Sequence, residues 1–159
     1  MQLDSAQPGL HAIDFENVRL ATVSWLREAV LALQKYAAAM RPEIVLIVVN
    51  LAELVREELA VALEATGNVI VAASVSRDLQ VRNPVLMGRL DPALSETLRV
   101  VQGQGEFDAS FVSRALPHVG LSAANNRLSA LEAKGILKSE RYGRARVYRP
   151  ALEDLLYGY

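Results

Sequence analysis

The stretch from Leu121 to Leu137 reads LSAANNRLSALEAKGIL and decides the fold of the C-terminal part of the chain. Three apolar residues recur in it at intervals of four and three, the spacing of one buried helix face: Ala124, Leu128 and Leu131. Ser122 is a residue type that caps helices, so we expect it to be the cap of this helix. Gly135 provides the C-terminal stop. The stretch therefore predicts a helix that leads directly into a strand.

Two further helices are predicted upstream. Asp91 followed by Pro92 is a favourable helix start, because Asp caps and Pro fits the first turn, and this helix is expected to end near Val101. Asp108 caps a second helix over Ala109–Leu116. Three of its residues are predicted to face inward: Phe111, Val112 and Ala115.

The segment between the last two helices predicts a tight turn. It reads Pro117-His118-Val119-Gly120, and proline ends the preceding helix while glycine allows the sharp reversal. Two helices joined by a four-residue turn with glycine form a helix-turn-helix.

A basic hairpin is predicted after Gly135. Ile136–Arg141 and Arg144–Arg149 are consistent with two strands around the turn Tyr142-Gly143. Three arginines lie at or near its tip, where they could hold phosphate or enter a minor groove: Arg141, Arg144 and Arg146. A solvated basic hairpin without a ligand is the alternative interpretation.

The outer face of the third helix carries the side chains that suit base recognition. Small and amide side chains allow close entry into the major groove, Asn pairs with adenine, and Arg pairs with guanine or holds phosphate. Two adjacent asparagines are poor helix formers, which favours a contact role for them over an ordinary surface role. The predicted DNA-binding residues are Ser122, Asn125, Asn126 and Arg127 on the helix and Lys138, Arg141, Arg144 and Arg146 on the hairpin.

These motifs together resemble the winged-helix family of bacterial transcriptional regulators. The stretch Leu128–Leu137 is similar to the end of their recognition helix running into the first wing strand, and Gly143–Tyr148 is similar to their second wing strand. The resemblance implies a winged helix-turn-helix domain over residues 91–150, whose third helix enters the major groove of double-stranded DNA and whose wing contacts the backbone. Some members of the family bind protein or RNA instead.

The N-terminal part follows a different pattern. Short apolar strands over His11–Phe15, Glu43–Asn50 and Asn68–Val75 alternate with helices over Leu20–Met40 and Glu53–Ala65. This order predicts a small parallel α/β domain over residues 11–80. Five residues of the first helix are expected on one buried face: Leu26, Val30, Leu33, Ala37 and Met40. Ser76–Arg89 contains Asn83-Pro84 and Gly88 and is interpreted as a linker or irregular excursion.

This first domain resembles the STAS-like domains of anti-sigma-factor antagonists. The resemblance lies in Ala12–Val18 followed by Ala21–Leu26, and in Leu46–Leu51 followed by Leu63–Gly67. It implies a module for protein interaction or dimerisation. Antagonists of that family present a phosphorylatable serine at the helix start, whereas this chain has Thr22-Val23 there and Ser24 one step later. We favour a helix-terminal or buried hydroxyl for Ser24 over a phosphorylation switch.

The charge is divided unevenly along the chain. The net charge is -1 overall, but Ala109–Arg149 carries eight basic residues against Glu132 and Glu140. The rest of the chain is therefore net acidic. A basic segment beside an acidic one indicates that only the C-terminal part binds a polyanion. The chain has no cysteine and no apolar run long enough for a membrane span, so we expect a cytoplasmic protein with no membrane contact.

No constellation of catalytic residues is evident. His11 and His118 lie in different predicted domains, and Gly103-Gln104-Gly105 lacks the lysine of a phosphate-binding loop. We therefore expect no enzyme activity, no catalytic residue, no cofactor and no metal.

Three functions remain open from the sequence. The first is a homodimeric DNA-binding transcriptional regulator whose α/β domain supplies dimerisation or senses a partner. The second is a non-enzymatic protein-interaction module of a signalling or assembly complex, as the anti-sigma-antagonist resemblance suggests. The third is a small-molecule sensor whose ligand lies at the carboxyl ends of the parallel strands.

Overall fold

The computed structural model of the chain describes residues 9–41, 43–152 and 156–157. The chain divides into two compact units. The first unit comprises Met1–Arg89 and Asp154–Tyr159, and the second comprises Leu90–Glu153. Both units mix helices and strands.

A five-stranded mixed sheet forms the centre of the first unit. Its strands are β1 (Leu10–Asp14), β2 (Val45–Val49), β3 (Val69–Val75), β4 (Val81–Gly88) and β7 (Leu156–Tyr157), in the spatial order β1-β2-β3-β4-β7. The first three strands are parallel, as the β-branched runs predict. β4 runs antiparallel to β3, and β7 runs parallel to β4.

The strand β4 corrects two sequence predictions. The segment Ser76–Arg89 is not a linker, because most of it is this strand, and the sheet is mixed rather than parallel. Ala72 pairs with Val85 and Ser74 with Arg82, so Asn83 and Pro84 together lie opposite one residue of β3. A bulge of this kind accommodates proline, which cannot donate to the ladder. The same two residues gave the sequence its loop-like character.

The first helix, α1, contains a wide turn that changes which residues face the core. It runs through an α-helical segment Val23–Trp25, a π-helical segment Leu26–Leu31 and an α-helical segment Ala32–Met40. A π-turn adds one residue to the helix and rotates everything after it. The prediction that Leu33 and Met40 are buried is therefore wrong, since they are 47% and 61% exposed.

The second helix, α2 (Glu53–Thr66), follows the sequence prediction closely. Its inward residues are those expected from the spacing, and they pack with α1 and the sheet into one core: Val55, Leu59 and Ala62. Gly67 ends the helix in the left-handed conformation at φ 65°, which glycine adopts without strain.

The second unit consists of three helices and a two-stranded hairpin. The elements are α3 (Pro92–Val101), α4 (Ala109–Ala115), α5 (Leu121–Ala133), β5 (Leu137–Tyr142) and β6 (Ala145–Pro150). The predicted caps of α3 and α4 are confirmed: Asp91 accepts a hydrogen bond from Leu94 N at 2.9 Å, and Asp108 accepts one from Phe111 N at 2.8 Å. A single antiparallel bridge joins Phe107 to Tyr148.

Two details of this unit differ from the sequence predictions. Ser122 is not the cap of α5, because the helix already begins at Leu121. Gly120 is the cap residue, and it has no side chain to accept a hydrogen bond. Ala115 is exposed and Phe111 is half-buried, so Val112 alone of the three predicted residues of α4 is fully buried. The predicted stripe of α5 is confirmed, since Ala124, Leu128 and Leu131 are all completely buried.

Gly88 at the end of β4 generates a stability prediction. Its φ is +93°, and an added Cβ would lie 2.3 Å from the carbonyl oxygen of Asn68. Gly88→Ala should therefore cost about 3 kcal/mol, whereas Gly67→Ala, which meets nothing, should cost only about 1 kcal/mol. The measurement is urea unfolding followed by the fluorescence of the single tryptophan, Trp25, which lies in the first unit. Equal losses for the two variants would contradict the close approach at Gly88.

Candidate nucleic-acid interface

The outer face of α5 near its N-terminus is exposed and polar. Ser122, Asn125 and Asn126 are exposed, while the opposite face of the same helix is sealed in the core by Ala124 and Leu128. Within the part of the chain that the structure describes, neither asparagine amide has a hydrogen-bond partner. These amides are therefore free to pair with an external donor and acceptor.

The start of α5 adds unsatisfied donors to this face. The first turn contains no acidic side chain, and the cap residue Gly120 offers no side-chain acceptor. The first N–H groups of a helix lack an internal acceptor and favour a negative ligand. The end of the helix that carries the two asparagines is thus suited to approach an anion.

Arg127 connects α5 to α3. Its Nη1 donates to Glu96 Oε2 at 2.9 Å and to the carbonyl oxygen of Ala93 at 3.3 Å, and its side chain is only 22% exposed. Glu96 also contacts Nε2 of His118 at 3.1 Å, in the turn before α5. The hydrogen bond from Arg127, followed by that from His118, lowers the pKa of Glu96. Glu96 therefore joins α3, the turn and α5 through one carboxylate.

A second polar group attaches the hairpin to α5, and we name it the hairpin anchor: Ser129, Glu132, Ser139, Arg146 and Tyr148. Arg146 forms an ion pair with Glu132, its Nε donates to Ser139 Oγ at 2.9 Å, and its guanidinium lies 5.2 Å from the ring centroid of Tyr148. Ser139 Oγ donates to Glu132 at 2.6 Å, and the Tyr148 hydroxyl lies 3.2 Å from Ser129 Oγ. Arg146, predicted to bind DNA, thus has internal partners on α5 and on both strands.

The tip of the hairpin presents the arginines without internal partners. Arg141 and Arg144 are exposed, and neither contacts a carboxylate among the described residues. Arg149, by contrast, pairs with Glu140. Tyr142 Oη also donates to Glu140 at 2.9 Å, and this bond raises the pKa of Tyr142.

Lys138 differs from the other predicted basic contacts. It lies half-buried on β5, in register with Arg149 of β6. Burial, followed by the positive charge of Arg149, lowers its pKa. Its ammonium is therefore less available to a ligand than the guanidinium groups at the tip.

The carboxylates Glu96 and Glu132 are the residues that sequence reasoning missed. Each lies on a helix in a position that looks like an ordinary solvated surface residue. Arg127 is 31 residues from Glu96, and Arg146 is 14 residues from Glu132. Partners that far apart depend on helix packing and strand register, so local spacing gives no signal for them.

Other kinds of site find no support within the described ranges 9–41, 43–152 and 156–157. No group of three histidine, cysteine, aspartate or glutamate side chains is placed to hold a metal ion. No helix there is both long and apolar enough to cross a membrane.

Glu96 generates a pH prediction. Because its pKa is lowered in the folded chain, its stabilising contribution is present above the ordinary carboxyl pKa and disappears as the pH falls through the lowered value. Glu96→Gln should therefore increase amide hydrogen exchange in α3 and α5 at pH 7, and the difference from the parent chain should shrink toward pH 3. Glu57→Gln, on the exposed side of α2, is the control. A difference that is constant with pH would contradict the role of the charged carboxylate.

Comparisons of the chain with known protein families, with curated proteins and with solved structures find no match.

Proposed function

We propose that the chain is a DNA-binding transcriptional regulator whose second unit is a winged helix-turn-helix domain. The support is the order of its elements: three helices, the last two joined by a tight turn, are followed by a hairpin fixed to the third helix. In this proposal α5 is the recognition helix, and β5 and β6 form the wing.

The unpartnered amides of Asn125 and Asn126 are the observation that carries the proposal. Asparagine offers one acceptor and one donor group to the edge of adenine in the major groove. Ser122 and Ala123 beside them are small and exposed, which permits close approach of the helix to base edges. A helix that needed only stability would carry better helix formers at these two positions.

The arginines divide into two roles in this proposal. Arg141 and Arg144 contact phosphate or a minor groove, since no internal carboxylate neutralises them. Arg127 and Arg146 act as positioning residues, because their ion pairs hold the recognition helix and the wing in place. Lys138 is a minor contact, since half-burial restricts its approach to a backbone phosphate.

The first unit, in this proposal, is a STAS-like module that makes the regulator a cytoplasmic homodimer or receives a partner protein. Two copies present two recognition helices to half-sites about one DNA turn apart. Ser24 is exposed in the first turn of α1, and the hydroxyl of Thr22 caps that helix by accepting from Trp25 N at 3.3 Å. Of the two alternatives for Ser24, the helix-terminal hydroxyl is therefore found and the buried one is not, and its phosphorylation stays an open proposal.

A second candidate function is a protein-interaction module of a signalling complex. The observation that favours it is the exposed apolar surface of α1, where Trp25, Tyr36 and Met40 are all more than half exposed. A surface of this kind serves protein contacts and does not recognise DNA.

Removing the two arginines at the hairpin tip tests phosphate contact. Arg141→Gln combined with Arg144→Gln should weaken duplex binding about tenfold at 150 mM salt and reduce the slope of log affinity against log salt by about 2, because two phosphate contacts are lost. The measurement is fluorescence anisotropy of labelled duplexes across a salt series.

The matched control for this experiment is Arg77→Gln combined with Arg82→Gln, which removes two exposed charges from the first unit. It should leave the slope unchanged. Equal effects of the two double variants would mean that net charge alone attracts DNA, and absence of salt-sensitive duplex binding by the parent chain would overturn the proposed function.

Replacing the two asparagines tests base recognition. Asn125→Ala combined with Asn126→Ala should lower affinity for a preferred site, selected from random duplexes, about 10- to 100-fold, with little change on unrelated duplexes. Alanine is the better helix former, so the loss does not arise from melting of α5. Gln102→Ala combined with Gln104→Ala removes two exposed amides after α3 and is the control. Equal losses on all duplexes would contradict base recognition.

A further inference from the structure

The helix α1 has an unusual outward side. Half of the large apolar residues exposed in the described part of the chain lie on it or just before it: Leu20, Trp25, Leu33, Tyr36 and Met40. Between them lie the exposed alanines 32, 38 and 39. Amphipathic helices on a protein surface normally present charged residues to water. We call the outward side formed by Trp25, Ala32, Leu33, Tyr36 and Met40 the α1 face.

The π-turn in Leu26–Leu31 explains how the α1 face arises. The extra residue brings Leu31 into the core and turns Leu33 outward, while Ala37 stays buried as its spacing predicts. Gln34 takes an inward position, where its Nε2 donates to the carbonyl oxygen of Val69 at 2.8 Å. The apolar residues outside are therefore not part of the buried core of the first unit.

We propose that a second copy of this chain covers the α1 face, with the two α1 helices antiparallel about a twofold axis between Leu31 and Ala32. This inference rests on the proposed function, because a dimer supplies the two recognition helices that the regulator needs. The residues that support it all belong to the first unit, and they specify which surface forms the dimer.

Charge complementarity selects a second copy as the occupant. Three charged residues lie on α1: Arg27, Glu28 and Lys35. A twofold axis between residues 31 and 32 places residue 28 of one helix opposite residue 35 of the other. Glu28 then faces Lys35 of the second copy twice in one interface, an isologous arrangement. Within a single chain, Glu28 contacts only Arg27, at 3.4 Å, among the described residues.

The shape of the α1 face fits the same arrangement. Trp25 of one copy lies opposite Ala38 and Ala39 of the other, whose small side chains leave room for the indole. The exposed parts of the large side chains amount to on the order of 500 Å², and a standard interface buries about 800 Å² per partner. The area of the apolar residues, together with that of a polar rim formed by Arg27, Glu28 and Lys35, is therefore comparable with the area that a specific interface buries.

A charge-exchange series in the full chain tests the register of the two helices. Glu28→Lys alone and Lys35→Glu alone each place like charges opposite one another twice, and each should weaken the dimer about 10-fold. The double variant restores opposite charges and should return the dimer dissociation constant to within about 2-fold of the parent value. The measurement is sedimentation velocity over a concentration series. Failure of the double variant to recover would overturn the antiparallel register.

A second pair of variants tests the apolar part of the α1 face. Leu33→Glu combined with Tyr36→Glu should raise the dimer dissociation constant about 100-fold or more, since charges are placed at the centre of a desolvated contact. Leu54→Glu combined with Val61→Glu changes two equally exposed apolar residues on α2 and should leave the dimer intact. Equal effects of the two pairs would contradict the choice of surface. Circular dichroism of each variant confirms that its helices are retained.

The absence of cysteine from the chain permits a direct check that does not depend on destabilising the interface. Residue 32 lies beside the proposed axis, so two copies of the Ala32→Cys variant should be crosslinked into a covalent dimer by a short bismaleimide. Ala60→Cys, exposed on α2, should stay monomeric under the same conditions. A parent chain that sediments as a monomer up to high micromolar concentration, with no crosslinked Ala32→Cys, would overturn the inference.

The same samples separate this inference from the proposed function. A monomer that binds duplex DNA in a salt-dependent manner overturns the α1 interface and leaves DNA binding in place. A dimer with the predicted charge exchange that binds no duplex supports the interface and removes the proposed function.

Discussion

The ion pair between Glu132 of α5 and Arg146 of β6 is the interaction on which the candidate interface depends. It connects the third helix to the hairpin, and its remaining polar atoms are satisfied by Ser139 and by the Tyr148 ring. A half-buried charge pair contributes little net stability because both groups lose water. The main role of this pair is positional, because it fixes the direction of the hairpin relative to the exposed asparagines of α5. Both contact surfaces of the proposed regulator thus belong to one rigid arrangement.

The ion pairs also determine which arginines remain for a ligand. Glu96 and Glu132 form ion pairs with Arg127 and Arg146, which are less exposed than the other arginines that form ion pairs among the described residues. Arg141 and Arg144 at the hairpin tip are exposed, and neither is paired with a carboxylate among the described residues. The hairpin tip is therefore basic although the net charge of the whole chain is only -1. The carboxylates of Glu96 and Glu132 position α3, α5 and the hairpin. The first unit contributes a different surface, the apolar α1 face, so recognition of DNA and self-association are assigned to separate units.

The sequence predicted those parts of the fold that depend on neighbouring residues. The caps Asp91 and Asp108, the stop at Gly67 and the buried stripe of α5 each require only local chemistry, and all are present. Two of the failures arise where residues distant in the sequence determine the local structure. The segment around Asn83-Pro84 forms a strand by pairing with β3, and the π-turn of α1 places Leu31 in a core to which the sheet and α2 also contribute. For the candidate site, residue types and exposure of the asparagines were predictable, whereas the partners of Arg127 and Arg146 required the tertiary structure.

DNA binding by α5 and the hairpin is tested directly by titrating the isotope-labelled full chain with duplex DNA and measuring the amide chemical-shift changes. We expect the largest changes at the start of α5, over residues 120–126, and at the hairpin tip, over residues 141–144. We expect small changes at Arg127 and Arg146, which keep their carboxylate partners. Changes that cluster on α1 or on the central sheet, with α5 and the hairpin unaffected, would contradict DNA binding by α5 and the hairpin.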